Sequence, residues 1–370
     1  MGRSIIQIEN TSIKDIPLFF ILGRPRSGTT LLRTLFDAHP NVKIPPEFPI
    51  ILPLYQKFRK VKDWDEKTIS SFVDQIFKSP AFNYRKLEYL RIDRETYTAH
   101  LLALVHQGTI QDFLKSFNYY SYSLFPKKDI EWVGDKNPIY SIYVKRLLKI
   151  FPEARFICII RDYRDNFISM KSLSDLNLEA PVLPLQVSRW RYVVKLFLAC
   201  KKKYPGRFYI LRYEDLVQKQ EDIFCALCDF LGIKYDTVVF DFFTKKEESL
   251  KVYPKELIEK YHKSLMNPIN TGRMDLWKKE LNEKQVKVAD QIAGKYADIL
   301  GYKRKYKNFN FLLYLKTKPM TIYSYLIFKV LEFGSYLPSK LSLMLTVNLL
   351  VLVRTYNFIF EKKKKASQEK

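Results

Sequence analysis

The stretch Leu18-Phe-Phe-Ile-Leu-Gly-Arg-Pro-Arg-Ser-Gly-Thr-Thr30 decides the fold of this chain. Its five apolar residues, 18–22, are typical of a parallel strand that is buried on both faces. The segment from Gly23 to Thr30 has the spacing G-x-x-x-x-G followed by two hydroxyl residues, and an apolar helical pattern follows it. A loop in this position points backbone N–H groups and a helix N-terminus at a phosphate. The alternative is an ordinary strand-to-helix turn.

The same loop departs from the phosphate-binding loop of nucleotide triphosphatases at one position. Those loops continue with lysine after the second glycine, and the lysine reaches the β- and γ-phosphates. Here Thr29 stands in that place, and Arg26 supplies a cation inside the loop instead. A nucleotide-dependent kinase is therefore an enzymatic alternative, and Thr29 counts against it.

Further strand and helix signals alternate along residues 1–300. Apolar runs predict strands at Arg155–Ile160 and Arg207–Leu211, and apolar residues at helical spacing predict a helix around Trp190 and another from Glu283 to Leu300. Residues 50–130 are rich in aromatic residues and predict a mainly helical insertion. The alternation indicates an α/β, P-loop-like three-layer fold with a central parallel sheet.

Composition bounds the class of protein. The chain has 370 residues, of which 47% are hydrophobic, and this excludes a wholly disordered or collagen-like chain. Its net charge of +24 indicates an anionic partner: a nucleic acid, a membrane surface or a phosphorylated small molecule. Four cysteines are too few for a disulfide framework, and residues 1–6 lack a signal-peptide pattern. We therefore expect a cytoplasmic location, including the inner face of a membrane.

The C-terminal tail, residues 301–370, is both basic and apolar. It has 14 Lys and Arg residues against three Glu residues, and apolar runs at 311–315, 322–333 and 341–353. The last run has only 13 residues, which is short for a transmembrane helix. The tail predicts helices that lie on an anionic membrane surface, or ordinary docking helices followed by a solvated lysine run at 362–365.

The run Pro25-Arg-Ser-Gly-Thr-Thr-Leu-Leu32 resembles the 5′-phosphosulfate loop of sulfotransferases that use 3′-phosphoadenosine 5′-phosphosulfate (PAPS). Asp37-Ala-His-Pro40 and Glu47 bring the resemblance closest to the tyrosylprotein, Golgi-type and bacterial branches. It extends from about residue 17 to about residue 300 and excludes the tail. The resemblance implies PAPS as co-substrate, a hydroxyl acceptor and no metal ion.

The resemblance also implies a set of nucleotide-binding residues. An arginine that leaves a strand and a serine eight residues later, Arg161 and Ser169, match the 3′-phosphate site, although Arg161 could instead pair with Asp162 or Asp165 on the surface. One further arginine of the tyrosylprotein pattern is missing, where this chain reads Lys171-Ser-Leu173. The complete set implied is Arg26, Ser27, Gly28, Thr29, Thr30, Arg161, Ser169, Tyr213, Thr271, Gly272 and Arg273.

Three residues are implied to carry the chemistry. Glu47 is the general base, Lys136 assists departure of the 5′-phosphate, and Arg26 stabilises charge on the sulfuryl oxygens. The alternatives are a surface glutamate after a proline pair and a solvated lysine in a turn. His39 is a competing base, but its position at the end of the first helix favours a structural role.

The predicted function is that of a PAPS-dependent sulfotransferase acting on a lipid, sterol or glycan hydroxyl, with a soluble glycan or small phenol left open. Besides the kinase, the alternative is a non-catalytic nucleic-acid or membrane-binding protein suggested by the charge. Nothing in the sequence forms a nucleic-acid motif, so no nucleic-acid partner is expected. Cys225-x-x-Cys228 has no second ligand pair nearby, so we predict two core thiols rather than a zinc site.

Overall fold

The computed structural model describes residues 13–78, 90–172, 182–245 and 267–338, together with Leu341 and Met344. A five-stranded sheet with the order β2-β3-β1-β4-β5 forms its centre, and every pairing in the sheet is parallel. The strands are β1 (Leu18–Leu22), β2 (Val42–Lys43), β3 (Trp132–Lys136), β4 (Arg155–Ile160) and β5 (Phe208–Arg212).

Strand β1 occupies the middle of the sheet. Phe19 pairs with Gly134 of β3 on one side and with Arg155 of β4 on the other. From β1 the chain runs to β2 at one edge of the sheet, whereas from the neighbouring strand β4 it runs to β5 at the other edge. The connections that follow β1 and β4 therefore diverge. A crevice forms at the carboxyl ends of parallel strands where connections diverge in this way. The loop after β1 and the loop after β4 therefore face the same crevice.

The two apolar faces of the sheet explain the unbroken apolar run of β1. Phe19 and Ile21 pack into a core with Phe36 and Phe224 on one face. Phe20 and Leu22 pack into a second core on the opposite face. Because both faces are covered by helices, all five residues of β1 are buried. The predicted three-layer α/β fold with a central parallel sheet is confirmed.

The helices enclose the sheet on both faces. They are α1 (Thr29–Ala38), α2 (Ile51–Phe58), α3 (Glu66–Phe77), α4 (Arg94–Leu102), α5 (Ile110–Tyr120), α6 (Val144–Ile150), α7 (Tyr163–Lys171), α8 (Leu183–Lys203), α9 (Tyr213–Gln218), α10 (Gln220–Leu231), α11 (Trp277–Glu280), α12 (Glu283–Ala293), α13 (Lys295–Ile299) and α14 (Phe311–Gly334). Three 3₁₀ helices lie at Pro138–Ile142, Pro205–Arg207 and Thr237–Lys245. In the described part of residues 50–130, the regular elements are the helices α2 to α5, in agreement with the predicted helical insertion.

Several boundaries differ from the sequence prediction. The helix expected from Glu283 to Leu300 is two helices, because Gly294 adopts a left-handed φ of 54° between them. Strands β2 and β3 were not predicted. The alternative that placed Lys136 in a solvated turn is wrong, since Lys136 is the last residue of β3 and is buried.

The described part of the tail contains one long helix, α14, after the non-helical residues 302–310. Helix α14 continues through Pro319. In the part of the chain that the structure describes, no helix combines the length and hydrophobicity needed to cross a bilayer. Apart from Leu341 and Met344, the apolar run at 341–353 lies outside the described residues, as does the lysine run at 362–365.

Candidate active site

The loop between β1 and α1 is held in place by side chains from three other elements. The Gly23 N–H donates to Ser141 Oγ at 2.9 Å, and that hydroxyl donates back to the Gly23 carbonyl at 3.0 Å. Asn166 Nδ2 on α7 donates to the Pro25 carbonyl at 2.9 Å and to Ser27 Oγ at 3.2 Å. Arg24 donates to Gln186 Oε1 on α8 at 2.5 Å. These contacts preorganise the loop, because its backbone has protein partners on several sides.

Gly28 gives the loop its sharp entry into α1. Its φ is 92°, and a Cβ at this position would lie 2.4 Å from Cδ2 of Tyr213. No side chain can therefore stand here without displacing the tyrosine ring. The first turn of α1, from Thr29, contains no acidic residue, so its N–H groups and the positive end of the helix dipole are available to an anion.

We predict that Gly28→Ala lowers the free energy of unfolding by about 1–3 kcal/mol and weakens nucleotide binding, because it adds left-handed strain and a clash. Gly206→Ala is the matched control, since nothing lies within 4 Å of the added Cβ. That control should change stability by less than about 0.5 kcal/mol. Chemical denaturation of both variants measures the difference. Equal stability of the two variants would contradict the assigned role of Gly28.

Arginines from two loops form a cationic cleft at this crevice. Arg26, itself left-handed with φ 66°, donates through Nε to Ser169 Oγ at 3.1 Å. Buried Arg161 donates through Nη1 to the Arg26 carbonyl at 3.2 Å, and its guanidinium lies 5.1 Å from the ring centre of Tyr213. Among the described residues, the buried Arg161 Nε has no hydrogen-bond partner. A buried donor of this kind suits a bound anion.

Most of the nucleotide-binding residues implied by the resemblance line this cleft. The lining residues are Arg26, Gly28, Thr29, Thr30, Leu31, Arg161, Ser169, Tyr213, Val217, Pro268, Ile269, Asn270 and Arg273. The Ser27 side chain is buried against Asn166 instead, and Thr271 and Gly272 are exposed beside the cleft without lining it. Sequence reasoning missed the apolar lining residues, because an apolar side chain carries no chemical signature of a site.

Glu47 and Lys136 form an ion pair next to the loop. Lys136 Nζ lies 2.5 Å from Glu47 Oε1 and 3.2 Å from Thr30 Oγ1. The lysine side chain is 2% exposed, whereas the glutamate side chain is 28% exposed. The carboxylate therefore meets both the buried cation and open space.

Residues that follow Glu47 hold its segment in place. The neighbouring Phe48 is buried and stacks on Phe117 of α5 with ring centres 5.0 Å apart. The N–H of Ile51, the first residue of α2, donates to Tyr140 Oη at 3.0 Å. The carboxylate thus stands on a fixed backbone beside the phosphate-binding loop, and not on an exposed surface segment.

His39 does not offer a free ring nitrogen. Its Nδ1 accepts from the Asn41 N–H at 3.2 Å, so Nε2 carries the proton and donates to the Lys234 carbonyl at 2.8 Å. Burial lowers the pKa of the imidazole below its usual value. Since both nitrogens serve backbone groups, the geometry favours the structural role that its position suggested.

Asp165 and Arg164 position the segment that carries Arg273. Asp165 accepts from the backbone N–H groups of Asp275 at 2.7 Å and Trp277 at 2.9 Å. The Arg164 guanidinium lies 3.6 Å from the ring centre of Trp277. Arg161 in turn donates to the Arg273 carbonyl. The alternative in which Arg161 pairs on the surface with Asp162 or Asp165 is wrong, because Arg161 is buried and both carboxylates bind other donors.

Burial raises the pKa of Asp165 to about 6, even though two backbone N–H groups favour its ionised form. A raised pKa means that the folded state binds a proton more tightly than the unfolded chain. The stabilising contribution is therefore present below pH 4 and is lost as the pH rises through 6. We predict that the wild type gains about 1 kcal/mol or more relative to Asp165→Asn between pH 7 and pH 5. Denaturant titrations at both pH values test this, and a pH-independent difference would contradict it.

The Cys225 and Cys228 pair does not form part of this site. Cys228 is buried in the core beneath the sheet, and burial raises the pKa of its thiol to about 12. Cys225 is half-buried on the same helix, α10. Within the described ranges, no three His, Cys, Asp or Glu residues are grouped so that they could hold a metal ion.

Comparison with known protein families identifies the family of this chain. A model described as "Sulfotransferase family" matches residues 17–237, which include the loop after β1, Glu47, Lys136, Arg161 and Tyr213. The chain belongs to the sulfotransferase family. The family inferred from the loop motif is thus confirmed.

Individual relatives are distant. The protein-tyrosine sulfotransferase 2 of Gallus gallus is 26% identical over 284 residues, which cover 73% of this chain and 65% of that protein. A putative protein-tyrosine sulfotransferase of Caenorhabditis briggsae is 22% identical over 77% of this chain and 89% of its own length. Among solved structures, a sulfotransferase domain from the curacin biosynthetic pathway covers 78% of this chain and 98% of its own, with 21% identity and a TM-score of 0.47. The chain therefore spans slightly less than two thirds of the chicken relative.

Proposed function

We propose that this protein transfers a sulfuryl group from PAPS to the hydroxyl group of an acceptor. The observation that carries the proposal is the position of the Glu47–Lys136 ion pair, which lies against Thr30 at the mouth of the cationic cleft. Membership of the sulfotransferase family supplies the class of reaction. The family assignment does not favour the kinase or the non-catalytic alternatives.

The residues of the cleft fit a nucleotide with two phosphate groups. Arg161, directly after β4, and Ser169, on α7, line the same cleft. The unpartnered Nε of Arg161 suits a phosphate oxygen. The N-terminus of α1 suits a second anionic group, because Gly28, Thr29 and Thr30 line the same cleft. These two positions would hold the 3′-phosphate and the 5′-phosphosulfate of PAPS, respectively.

The Glu47–Lys136 ion pair would supply a base for the acceptor hydroxyl and a cation for the departing phosphate. The acceptor oxygen forms a bond to sulfur as the bond from sulfur to the 5′-phosphate oxygen breaks, and the hydroxyl proton must leave. Glu47 would accept that proton, since its carboxylate is partly exposed beside the cleft. Lys136 and Arg26 would stabilise the negative charge that develops on the departing phosphate and on the sulfuryl oxygens.

The acceptor is proposed from the surroundings of Glu47. The helical insertion next to Glu47 is rich in aromatic residues: Phe117 of α5 packs on the buried Phe48, and one turn further along α5 the partly exposed Tyr120 stacks on the His100 ring at 4.3 Å. An aromatic-rich insertion suits a hydrophobic acceptor such as a lipid, a sterol or a glycan-bearing lipid. The relatives named protein-tyrosine sulfotransferases add a peptide tyrosine as a second candidate. A panel of sterol, glycolipid and tyrosine-peptide acceptors with labelled PAPS distinguishes the two.

The first test is calorimetric titration with adenosine 3′,5′-bisphosphate, the expected product, and in parallel with magnesium and ATP. Tight binding of the bisphosphate, with transfer of label from PAPS to a member of the panel, supports the proposal. Binding of magnesium-ATP alone would instead support the kinase, and the roles proposed for Glu47 and Lys136 would be abandoned.

A further inference from the structure

Helix α14 packs Ile327 and Phe328 into the core and, unlike an ordinary surface helix, also exposes apolar side chains on its outward face. Its outward side chains are apolar: Leu312 is 70% exposed, Phe333 62% and Leu326 55%. Its buried side chains include the polar residues Thr317, Ser324 and Glu332. A helix facing water normally places polar residues outward. The outer face of α14 is therefore unsuited to water.

Polar contacts fix this orientation. Thr321 Oγ1 lies 3.0 Å from Ser188 Oγ on α8, and Ser324 Oγ donates to the Leu185 carbonyl at 3.4 Å. Tyr192 of the same helix donates to Glu332 at 3.2 Å. Rotating α14 to bury its outward apolar face would break these hydrogen bonds and remove Ile327 and Phe328 from the core. The exposed apolar face is thus a stable feature of the packing.

The exposed apolar residues form a continuous ridge bordered by cations. At about 100° per residue, the ridge residues fall within a sector of about 60°. They are Phe311, Leu315, Ile322, Leu326 and Phe333. Lys318 and Lys329 lie at one edge of the sector, and Lys329 also pairs with Glu332 at 2.8 Å. Lys316 lies about 80° beyond the other edge. Just before the helix, Phe309 is also exposed, two residues after Lys307.

We propose that α14 lies flat on an anionic lipid bilayer, with its ridge in the boundary between headgroups and acyl chains. The 24 residues of α14 span about 36 Å, so the ridge offers an extended line of contact. Apolar insertion supplies the binding energy, and the lysines beside the ridge meet lipid phosphates. This surface is independent of the proposed sulfuryl transfer and extends the protein's interactions beyond it.

Charge argues against two other occupants of the ridge. A second copy of the chain would bring lysines against lysines, on a protein whose net charge is +24. The C-terminal residues 339–370 carry seven Lys or Arg against two Glu, so they too would meet like charge. An anionic surface is complementary to the ridge and to the rest of the tail alike.

The test is sedimentation of the full-length protein with phosphatidylcholine vesicles, with and without about 30% phosphatidylserine, a content that sets an anionic surface potential. We expect the wild type to bind the anionic vesicles about tenfold or more tightly than the neutral ones. The variant Leu315→Gln/Ile322→Gln/Leu326→Gln should lose about tenfold or more of that affinity, since three side chains no longer insert. The matched control changes three exposed apolar residues elsewhere: Leu102→Gln/Val238→Gln/Ile299→Gln. It should bind like the wild type.

Thermal melting and bisphosphate binding check that both variants are folded. If the wild type fails to bind the bisphosphate, that result contradicts the proposed sulfuryl transfer but not the proposed membrane surface. Vesicle binding of the ridge variant equal to that of the control would overturn the proposal. Light scattering measures the oligomeric state and tests the alternative of self-association. A wild-type dimer that becomes a monomer in the ridge variant, without vesicle binding, would assign the ridge to self-association and equally overturn the proposal.

Discussion

Replacing Glu47 by glutamine should lower kcat for sulfuryl transfer by about 10²- to 10⁴-fold, the usual contribution of a general base. Glutamine keeps the size of the side chain but cannot accept the proton of the acceptor hydroxyl. The change lies beside the cleft and outside its lining, so affinity for adenosine 3′,5′-bisphosphate should stay within about twofold. Steady-state kinetics and calorimetry on the same preparation measure the two quantities.

Glu131→Gln is the matched control for this variant. Glu131 is exposed just before β3, so the substitution makes the same chemical change away from the cleft. Its kcat should equal that of the wild type. Lys136→Met adds a second readout, since it removes the cation that holds the Glu47 carboxylate at 2.5 Å. A kcat for Glu47→Gln within about threefold of the wild type would show that another group takes the proton.

Replacing Arg161 by alanine should weaken bisphosphate binding by about 100-fold. Arg161 is buried between the Arg26 and Arg273 carbonyls and the ring of Tyr213, so its charge acts in a poorly solvated place. Hydrogen bonds to charged groups contribute about 1.5–3 kcal/mol each, and about 1.4 kcal/mol corresponds to tenfold in affinity. Arg161→Lys should recover only part of the loss, since a lysine cannot reproduce the planar fork of donors.

The controls separate loss of the anion site from loss of the fold. Arg94→Ala makes the same truncation at an exposed ion pair with Asp74 and should leave bisphosphate binding unchanged. Ser169→Ala removes a cleft hydroxyl without touching the carbonyls that Arg161 binds, and it should cost several-fold in affinity. Unchanged affinity in Arg161→Ala, with a normal melting temperature, would refute the assignment of Arg161 to a phosphate.

The fold class and the loop between β1 and α1 were predictable, because both depend on short contiguous patterns. Residues 18–22 are apolar without interruption, which is what a strand covered on both faces requires. In contrast, β2 has only two residues and β3 carries Asp135 and Lys136, so neither resembles a buried strand. Asp135 is tolerated there because Asn118 and Asn137 donate to its carboxylate. The contact from Asn118, 17 residues earlier on α5, is invisible in a local pattern.

The segment from Thr271 to Arg273 also shows what a local sequence pattern cannot predict about binding residues. Thr271, Gly272 and Arg273 were inferred together from one motif, yet Arg273 lines the cleft and the other two do not. The difference depends on Asp165, which anchors the segment from a position 110 residues earlier. The sequence offered no signal for that contact, since a carboxylate that accepts backbone N–H groups has no partner motif.

Local sequence is enough to specify the elements whose geometry depends on neighbours in the chain: the strand β1, the glycine-dependent turn at Gly28 and the start of α1. Which distant groups meet depends on the tertiary fold. Glu47 and Lys136 are 89 residues apart, and parallel strand register brings the end of β3 beside the segment after β2. The outward apolar face of α14 was likewise decided by polar contacts with α8. Local sterics and burial act over a few residues, whereas strand order and helix packing depend on contacts that no short pattern encodes.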